Sequence, residues 1–236
     1  MNKSSYYEFS NAGYTKRLAL LKKFRDEALA SIGNLHVSVS VGNSKMGAIP
    51  SVSLLPVFDC GNCRMCSHGC YDLRHDCYTK ETNASRARNS VLVEHAPERF
   101  WRELRAWITL HYPRAFRFHV GGDIKNADYL RNMCRLAEEF PDIKFLAFTK
   151  MFDVVNKEVD EGLVIPSNFH LVFSGWPGLV MHNPHHFPTS HPLFADGATT
   201  APDGAKLCTG NCTECLRSEG GCWSLGPDEA VVFPAH

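Results

Sequence analysis

Four cysteines fall within eleven residues, Cys60, Cys63, Cys66 and Cys70, in the spacing C-x2-C-x2-C-x3-C. That spacing lets a short loop wrap an iron–sulfur cube, each thiolate reaching a different iron. A second set, Cys208, Cys212, Cys215 and Cys222, has the spacing C-x3-C-x2-C-x6-C. It sits among Gly210, Gly220 and Gly221, which let a backbone fold tightly around a cofactor. A chain with two such sets is organised around what the sulfurs bind.

Zinc is the main competitor for the first set. A structural zinc site takes two C-x2-C-like knuckles a dozen or more residues apart. Four thiolates in eleven residues would strain to converge on one small ion, whereas a cube is larger and spreads its ligands. In bacterial two-cluster ferredoxins the fourth cysteine of this spacing serves the other cluster and precedes a proline. Here Tyr71 follows Cys70, which leaves open whether Cys70 closes the first cube, with Cys77 as a substitute ligand. The second set fits a second cube, or a zinc knuckle that ties down the tail. Cys134 lies with Leu130, Met133 and Ala137 on one apolar helical face and reads as core.

The chain has 236 residues, enough for one large domain or two small ones. Its 25 basic and 25 acidic side chains balance, which argues against holding nucleic acid mainly by counterion release. Residues 1–9 lack the apolar run of a signal peptide, and no stretch approaches a membrane span. The expected compartment is the cytosol, where thiols stay reduced and clustered cysteines are metal ligands rather than disulfides.

Residues 15–31 read as an amphipathic helix. Residues 36–41 and 51–55 read as two short strands, a hairpin delivering the chain into the cysteine loop. Helices are predicted at 83–94 and 97–111, with Pro97 at a first helical position. Then strands at 115–120, 144–148 and 170–174 alternate with helices at 127–140 and 152–161. Such alternation implies a parallel sheet with right-handed crossovers. From Gly175 onward the chain is rich in Gly, Pro and His and has little periodicity.

Gly121-Gly122-Asp123 follows a predicted strand at its carboxyl end, where open sheets and barrels bind ligands. The glycines allow close approach, and Asp123 can accept hydrogen bonds from an amine or ribose. The plainer alternative is a tight turn with Asp123 near a helix start. Lys150 follows the next strand, and Ser174 with Trp176 the third, so three strand ends share one rim. His182, His185, His186 and His191 cluster among prolines, as a metal site or, more ordinarily, as loop surface. Arg86, Arg88 and His95 could pair with an anionic ligand or cluster or, more ordinarily, form a solvated helix face.

Two resemblances follow from these motifs. Asn43-Ser44-Lys45, Cys70-Tyr71, Arg88-Asn89, residues 118–123, Tyr129-Leu130, residues 148–150 and the cysteine-rich tail together resemble the phage "gene product 88" family. That resemblance covers roughly residues 41–223 and implies no particular substrate. Val120-Gly121-Gly122-Asp123, with Asp128-Tyr129-Leu130 and residues 141–144, is similar to the second βα unit of radical S-adenosylmethionine enzymes. There a Gly-Gly-Glu loop holds the cofactor's amino group, a role the resemblance passes to Gly121, Gly122 and Asp123. That superfamily binds its cube near the N-terminus through C-x3-C-x2-C. Here Cys66-x3-Cys70 begins the pattern but Leu73 stands third. The spacing recurs at Cys208, Cys212 and Cys215, with Glu214 where an aromatic is usual. A fully ligated cube has no open iron, so this resemblance implies the fold more than the activity.

The expectation is therefore an α/β fold: a partial (β/α) parallel barrel over residues 1–175, including the first cysteine loop (60–77). A loop-rich, cysteine-bound extension over residues 176–236 packs on the same domain. Metal ligands are Cys60, Cys63, Cys66, Cys70, Cys208, Cys212, Cys215 and Cys222, holding two 4Fe–4S clusters, with zinc as the alternative. Gly121, Gly122, Asp123 and Lys150 bind a further cofactor or substrate, S-adenosylmethionine among the candidates. The expected function is a redox or radical-type iron–sulfur enzyme. The alternative is a non-enzymatic, metal-stabilised surface for a protein or nucleic-acid partner.

Overall fold

The computed structural model describes residues 11–61, 80–194 and 196–234. Its centre is built from apolar runs such as Phe145-Leu146-Ala147-Phe148 and Leu171-Val172-Phe173. Near-continuous runs of this kind form strands buried on both faces. β1 (Val39–Ser40) and β2 (Ser51–Val52) pair antiparallel. β2 then runs parallel to β3 (Ala115–Phe118), β3 to β4 (Lys144–Thr149) and β4 to β5 (Phe169–Ser174). Phe116 lies opposite Phe145, and Ala147 opposite Leu171. β6 (Thr189–Leu193), β7 (Lys206–Leu207) and β8 (Ala230–Pro234) continue the sheet in parallel. The strand order is β1-β2-β3-β4-β5-β6-β8-β7. β1 and β7 are its two edges, so the sheet is a partial barrel.

Six α-helices lie among the described residues: α1 (Asn11–Ala30), α2 (Lys80–His95), α3 (Pro97–His111), α4 (Ala127–Glu139), α5 (Phe152–Asp160) and α6 (Cys212–Arg217). Proline suits the start of α3, where its missing N–H has no helical partner to lose. Asn126 caps α4, its side chain accepting from the Tyr129 N–H at 2.9 Å. None of these helices is long and apolar enough to cross a membrane.

Successive strand residues point to opposite faces, and the two faces meet different partners. Phe116, Phe118, Phe145, Ala147, Leu171 and Phe173 join residues of α1 to α5 in one large core. Their neighbours Ala115, Leu146 and Val172 face the other way, onto Met46, Ile49, Leu216, Trp223 and Leu225. The helices therefore cover one face, and the segment carrying the tail cysteines covers part of the other.

The structure departs from expectation at both ends of the sheet. The predicted strands at 36–41 and 51–55 shrink to two residues each. Asn43 ends the first by accepting from the Lys45 and Met46 N–H groups, a side-chain-driven turn. Leu54 and Leu55 are fully buried, but their N–H groups go to Gly121 O and Ser90 Oγ rather than to a ladder. Beyond Gly175, an apparently loop-rich stretch supplies β6 and β8 to the sheet. Cys63, Cys66, Cys70 and Cys77 lie outside the described residues.

Candidate functional site

A cavity of about 1490 Å³ opens on the face that the helices leave free. Its walls are inward-facing residues of β3, β4, β6 and β8, the loops that follow the parallel strands, and the tail. Cys60 and all four tail cysteines border it, as do Gly122, Asp123 and Lys150. Gly121 does not.

The tail enters the site from β7. The Cys208 N–H donates to Val232 O at 2.9 Å, and its sulfur accepts from the Gly210 N–H at 3.4 Å. Asn211 caps α6 by accepting from the Glu214 N–H, which places Cys212 and Cys215 on one short helix. Cys222 sits in the 3-10 turn Gly221–Trp223. A Cβ on Gly221 would stand 2.7 Å from Cys215 Sγ, so only glycine lets the turn approach that thiol. The turn at residues 43–47 clasps α6 from outside. Lys45 O accepts from the Cys212 N–H at 3.2 Å, and Met46 O from the Thr213 hydroxyl at 2.9 Å.

All four tail thiols are free and half-buried, and they act on one another electrostatically. Burial pushes Cys222 up to about 12, reinforced by Cys208 and Cys212. Burial raises Cys212 as well, while Arg117 and Lys45 oppose the rise. Both cations lie inside the cavity: Lys45 Nζ is 4.8 Å from the Phe233 ring centroid and the Arg117 guanidinium 5.0 Å from that of Phe148. Arg117 Nε is buried without a hydrogen-bond partner. Among the described residues, no group of three or more His, Cys, Asp or Glu is placed to hold a metal ion.

The first cysteine set begins from a braced base. The Asp59 N–H donates to Leu55 O at 3.1 Å, and Asp59 O accepts from the Asp123 N–H at 2.8 Å. The Asp59 carboxylate, buried, forms an ion pair with Lys125. Lys125 also reaches Glu94 at 3.4 Å, and Glu94 pairs with Arg25 at 2.8 Å. Val57, at φ 71°, takes a conformation costly for a β-branched residue. The chain is thus held in a bent course just before Cys60.

The Gly121–Asp123 loop forms the other half of this brace. Gly121 O accepts from the Leu54 N–H at 2.9 Å. Gly122, at φ 81°, lies against Leu54, whose Cβ would be 2.6 Å from an added Cβ. The Asp123 carboxylate is turned into the fold: Oδ1 accepts from the Ile124 N–H and the Thr149 hydroxyl, Oδ2 from the Lys150 N–H. Burial pushes its pKa up, against the pull of those donors. Asp123 therefore ties the ends of β3 and β4 together. Lys150 Nζ donates to Ser174 Oγ at 3.1 Å, linking the ends of β4 and β5 within the cavity wall.

Other residues fall differently from expectation. Arg86 is not on a solvated face; it is 4% exposed and lines the cavity. Asn89 holds β1 to β2, donating to Ser38 O and Ser53 O and accepting from the Ser38 N–H. His119, at φ 59° and buried, shares a hydrogen bond with Tyr129 at 3.0 Å. Burial, with Arg117 nearby, pushes its pKa down to about 3 and keeps it neutral. The four tail histidines do not converge. His185 meets Asp160 and His186 meets Asp228, His191 sits between Thr189 and Thr200, and the His182 carbonyl accepts from Asn156. Cys134, by contrast, is core as expected, 2% exposed, its thiol pushed up to about 12 by burial. The place of Lys45 and Arg117 beside the thiols was not foreseen from sequence: Lys45 stood there only in the Asn43-Ser44-Lys45 motif, and Arg117 only as a lone arginine inside the apolar strand Ala115–Phe118.

Comparison with curated proteins finds no match, and comparison with solved structures finds none. The family model described as Gene product 88 matches residues 34–177, which takes in the braced base, the first cysteine set and the strand ends at Asp123, Lys150 and Ser174. The chain belongs to the phage Gene product 88 family.

Proposed function

We propose that the chain is an iron–sulfur protein, with Cys208, Cys212, Cys215 and Cys222 holding one 4Fe–4S cluster and Cys60, Cys63, Cys66 and Cys70 a second. The carrying observation is that the four tail thiols and Cys60 border one cavity although most of the chain separates them. The donor chemistry supports the reading. The tail site offers thiols, a backbone N–H on a sulfur, and two cations suited to an anionic thiolate cluster. Hydrogen bonds to sulfur and nearby charge are the usual means of setting a cluster's potential. Around one zinc, sulfurs ~2.3 Å from the metal crowd together. A cube spaces its thiolates wider, so its site needs no group as tight as a single ion demands.

When bound, such a cluster supplies one-electron chemistry. Ordinary ligand pockets measure roughly 300–1,000 Å³; the cavity exceeds that range and leaves volume for a substrate beside the sulfurs. A redox enzyme of a reducing cytosol is the function this arrangement supports best. Anaerobic purification followed by iron, sulfide and visible spectroscopy tests it. Two cubes require ~8 irons per chain, and single Cys→Ala changes in either set should remove about half. A colourless protein carrying stoichiometric zinc would overturn the reading in favour of a metal-stabilised binding surface. In a brown preparation, reductive cleavage of S-adenosylmethionine to deoxyadenosine separates a radical route from simple redox work.

A further inference from the structure

Among the described residues, the cavity lining is more basic than the chain as a whole. The sequence balances 25 basic against 25 acidic residues. The described lining carries five basic residues, Lys45, Arg86, Arg117, Lys150 and Lys206, against Glu81 and Asp123. Lys206 is paired with Glu229 at 2.6 Å. Asp123 has both oxygens engaged by Thr149, Ile124 and the Lys150 backbone. A concave site whose lining carries an excess of one sign of charge, with low-dielectric walls, concentrates ligands of the other sign.

Two of the cations, Lys45 and Arg117, act on the tail thiols. Lys150 stands elsewhere, on the rim where β4 and β5 end, its ammonium held inward on Ser174 Oγ. Beside it the wall turns apolar. Trp176 packs edge-on against Phe194, ring centroids 6.2 Å apart, and both line the cavity. Gly175 between Ser174 and Trp176 admits no side chain, because a Cβ would stand 2.6 Å from His191 Nδ1. The rim thus places a cation, a hydroxyl and an aromatic wall side by side.

We propose that this rim is a second binding site, for a small organic anion. Its phosphate or carboxylate rests on Lys150 Nζ and Ser174 Oγ, and its flat or apolar body lies along Trp176 and Phe194. The site shares the cavity with the thiols but does not depend on a cluster being there.

Isothermal titration of the full-length, anaerobically purified protein tests it. The probes are adenosine triphosphate, phenylpyruvate and uncharged adenosine. At least one anion should bind one-to-one, and adenosine at least ~10-fold more weakly than adenosine triphosphate where the latter binds. Binding of adenosine triphosphate alone assigns the phosphate class, and of phenylpyruvate alone the carboxylate class. Lys150→Gln should weaken binding by ~10–100-fold, with Lys150→Arg restoring most of it. Wild-type affinity should also fall with added salt, a measurement that stands if a variant fails to fold. Three results would overturn the proposal: no binding of either anion, affinity indifferent to salt, or Lys150→Gln binding like wild type. Iron and sulfide assays on the same preparation keep the readings apart. A colourless protein that binds the anion removes the cluster alone; a brown protein that does not bind removes the rim site alone.

Discussion

Gly122→Ala isolates how tightly the strand-end loop is pressed against the base of the first cysteine set. Gly122 has φ 81°, and Gly204 has φ 82°. The two differ in surroundings: a Cβ at Gly204 meets nothing within 4 Å, whereas at Gly122 it lands 2.6 Å from Leu54 Cβ and 3.1 Å from Leu54 Cα. Alanine at either site incurs the left-handed cost of ~1–2 kcal/mol. At Gly122 it also overpacks a fully buried leucine, adding ~1–3 kcal/mol. Gly204→Ala should therefore lose ~1–2 kcal/mol and Gly122→Ala ~2–5 kcal/mol. Urea denaturation in the presence of a chelator, with the midpoint read at constant m, measures both without contribution from bound metal. Relieving the overlap moves Leu54 away from Gly121 O, so, if the first cysteine set holds the proposed cluster, the excess loss should come with reduced iron retention in the unchelated protein. Equal losses for the two variants would refute the packing argument.

Three further outcomes follow from buried groups. Lys125→Met strands the Asp59 carboxylate, 1% exposed in its side chain, and should cost roughly 3–5 kcal/mol. Adding Asp59→Leu should recover much of that, and strict additivity in the double-mutant cycle would count against the pair. His119 has a folded pKa near 3, below its ordinary 6.5. Its stabilising share is present above pH ~6.5 and is lost as pH falls toward 3, up to roughly 5 kcal/mol. His119→Asn, which tolerates the left-handed backbone, should flatten stability measured across that window; an unchanged profile would exclude His119 as the source. Cys134→Ala should lower stability by about 1 kcal/mol and, if the protein holds the proposed clusters, leave iron content intact, whereas Cys222→Ala should remove about half of it. Iron loss on changing Cys134 would contradict its placement in the core.

Elements whose pattern is local were legible. The predicted helix at 97–111 coincides with Pro97–His111, because proline marks its start and Phe100, Leu104 and Ile108 mark its buried stripe. The strand–helix alternation through Ser174 was readable for the same reason. β6 was not: Thr189-Ser190-His191-Pro192-Leu193 has no alternation and contains a proline. It is a strand because β5 and β8 lie on either side of it, a condition set by the tertiary fold. Arg86 misled in the opposite way. Its helix looked solvated, yet Arg86 is buried and lines the cavity, a placement set by the tertiary fold. The histidines at 182, 185, 186 and 191 are close in sequence, but partners as distant as Asp160 and Asp228 pull them apart. For the tail cysteines, spacing singled out the four residues, while their place beside Lys45 came only with the turn at residues 43–47.

That turn has a consequence for biogenesis. Thr213 closes onto Met46 across 167 residues of chain, and β8 wedges between β6 and β7 only after both exist. During synthesis from the N-terminus, the helical layer and the first five strands can form while the concave face still lies open to solvent. Until residues 206–234 emerge, that face lacks both its partial cover and the four tail cysteines. A cluster held by Cys208, Cys212, Cys215 and Cys222, as proposed, could therefore form only after residues 208–222 have emerged, with β8 the last strand to join.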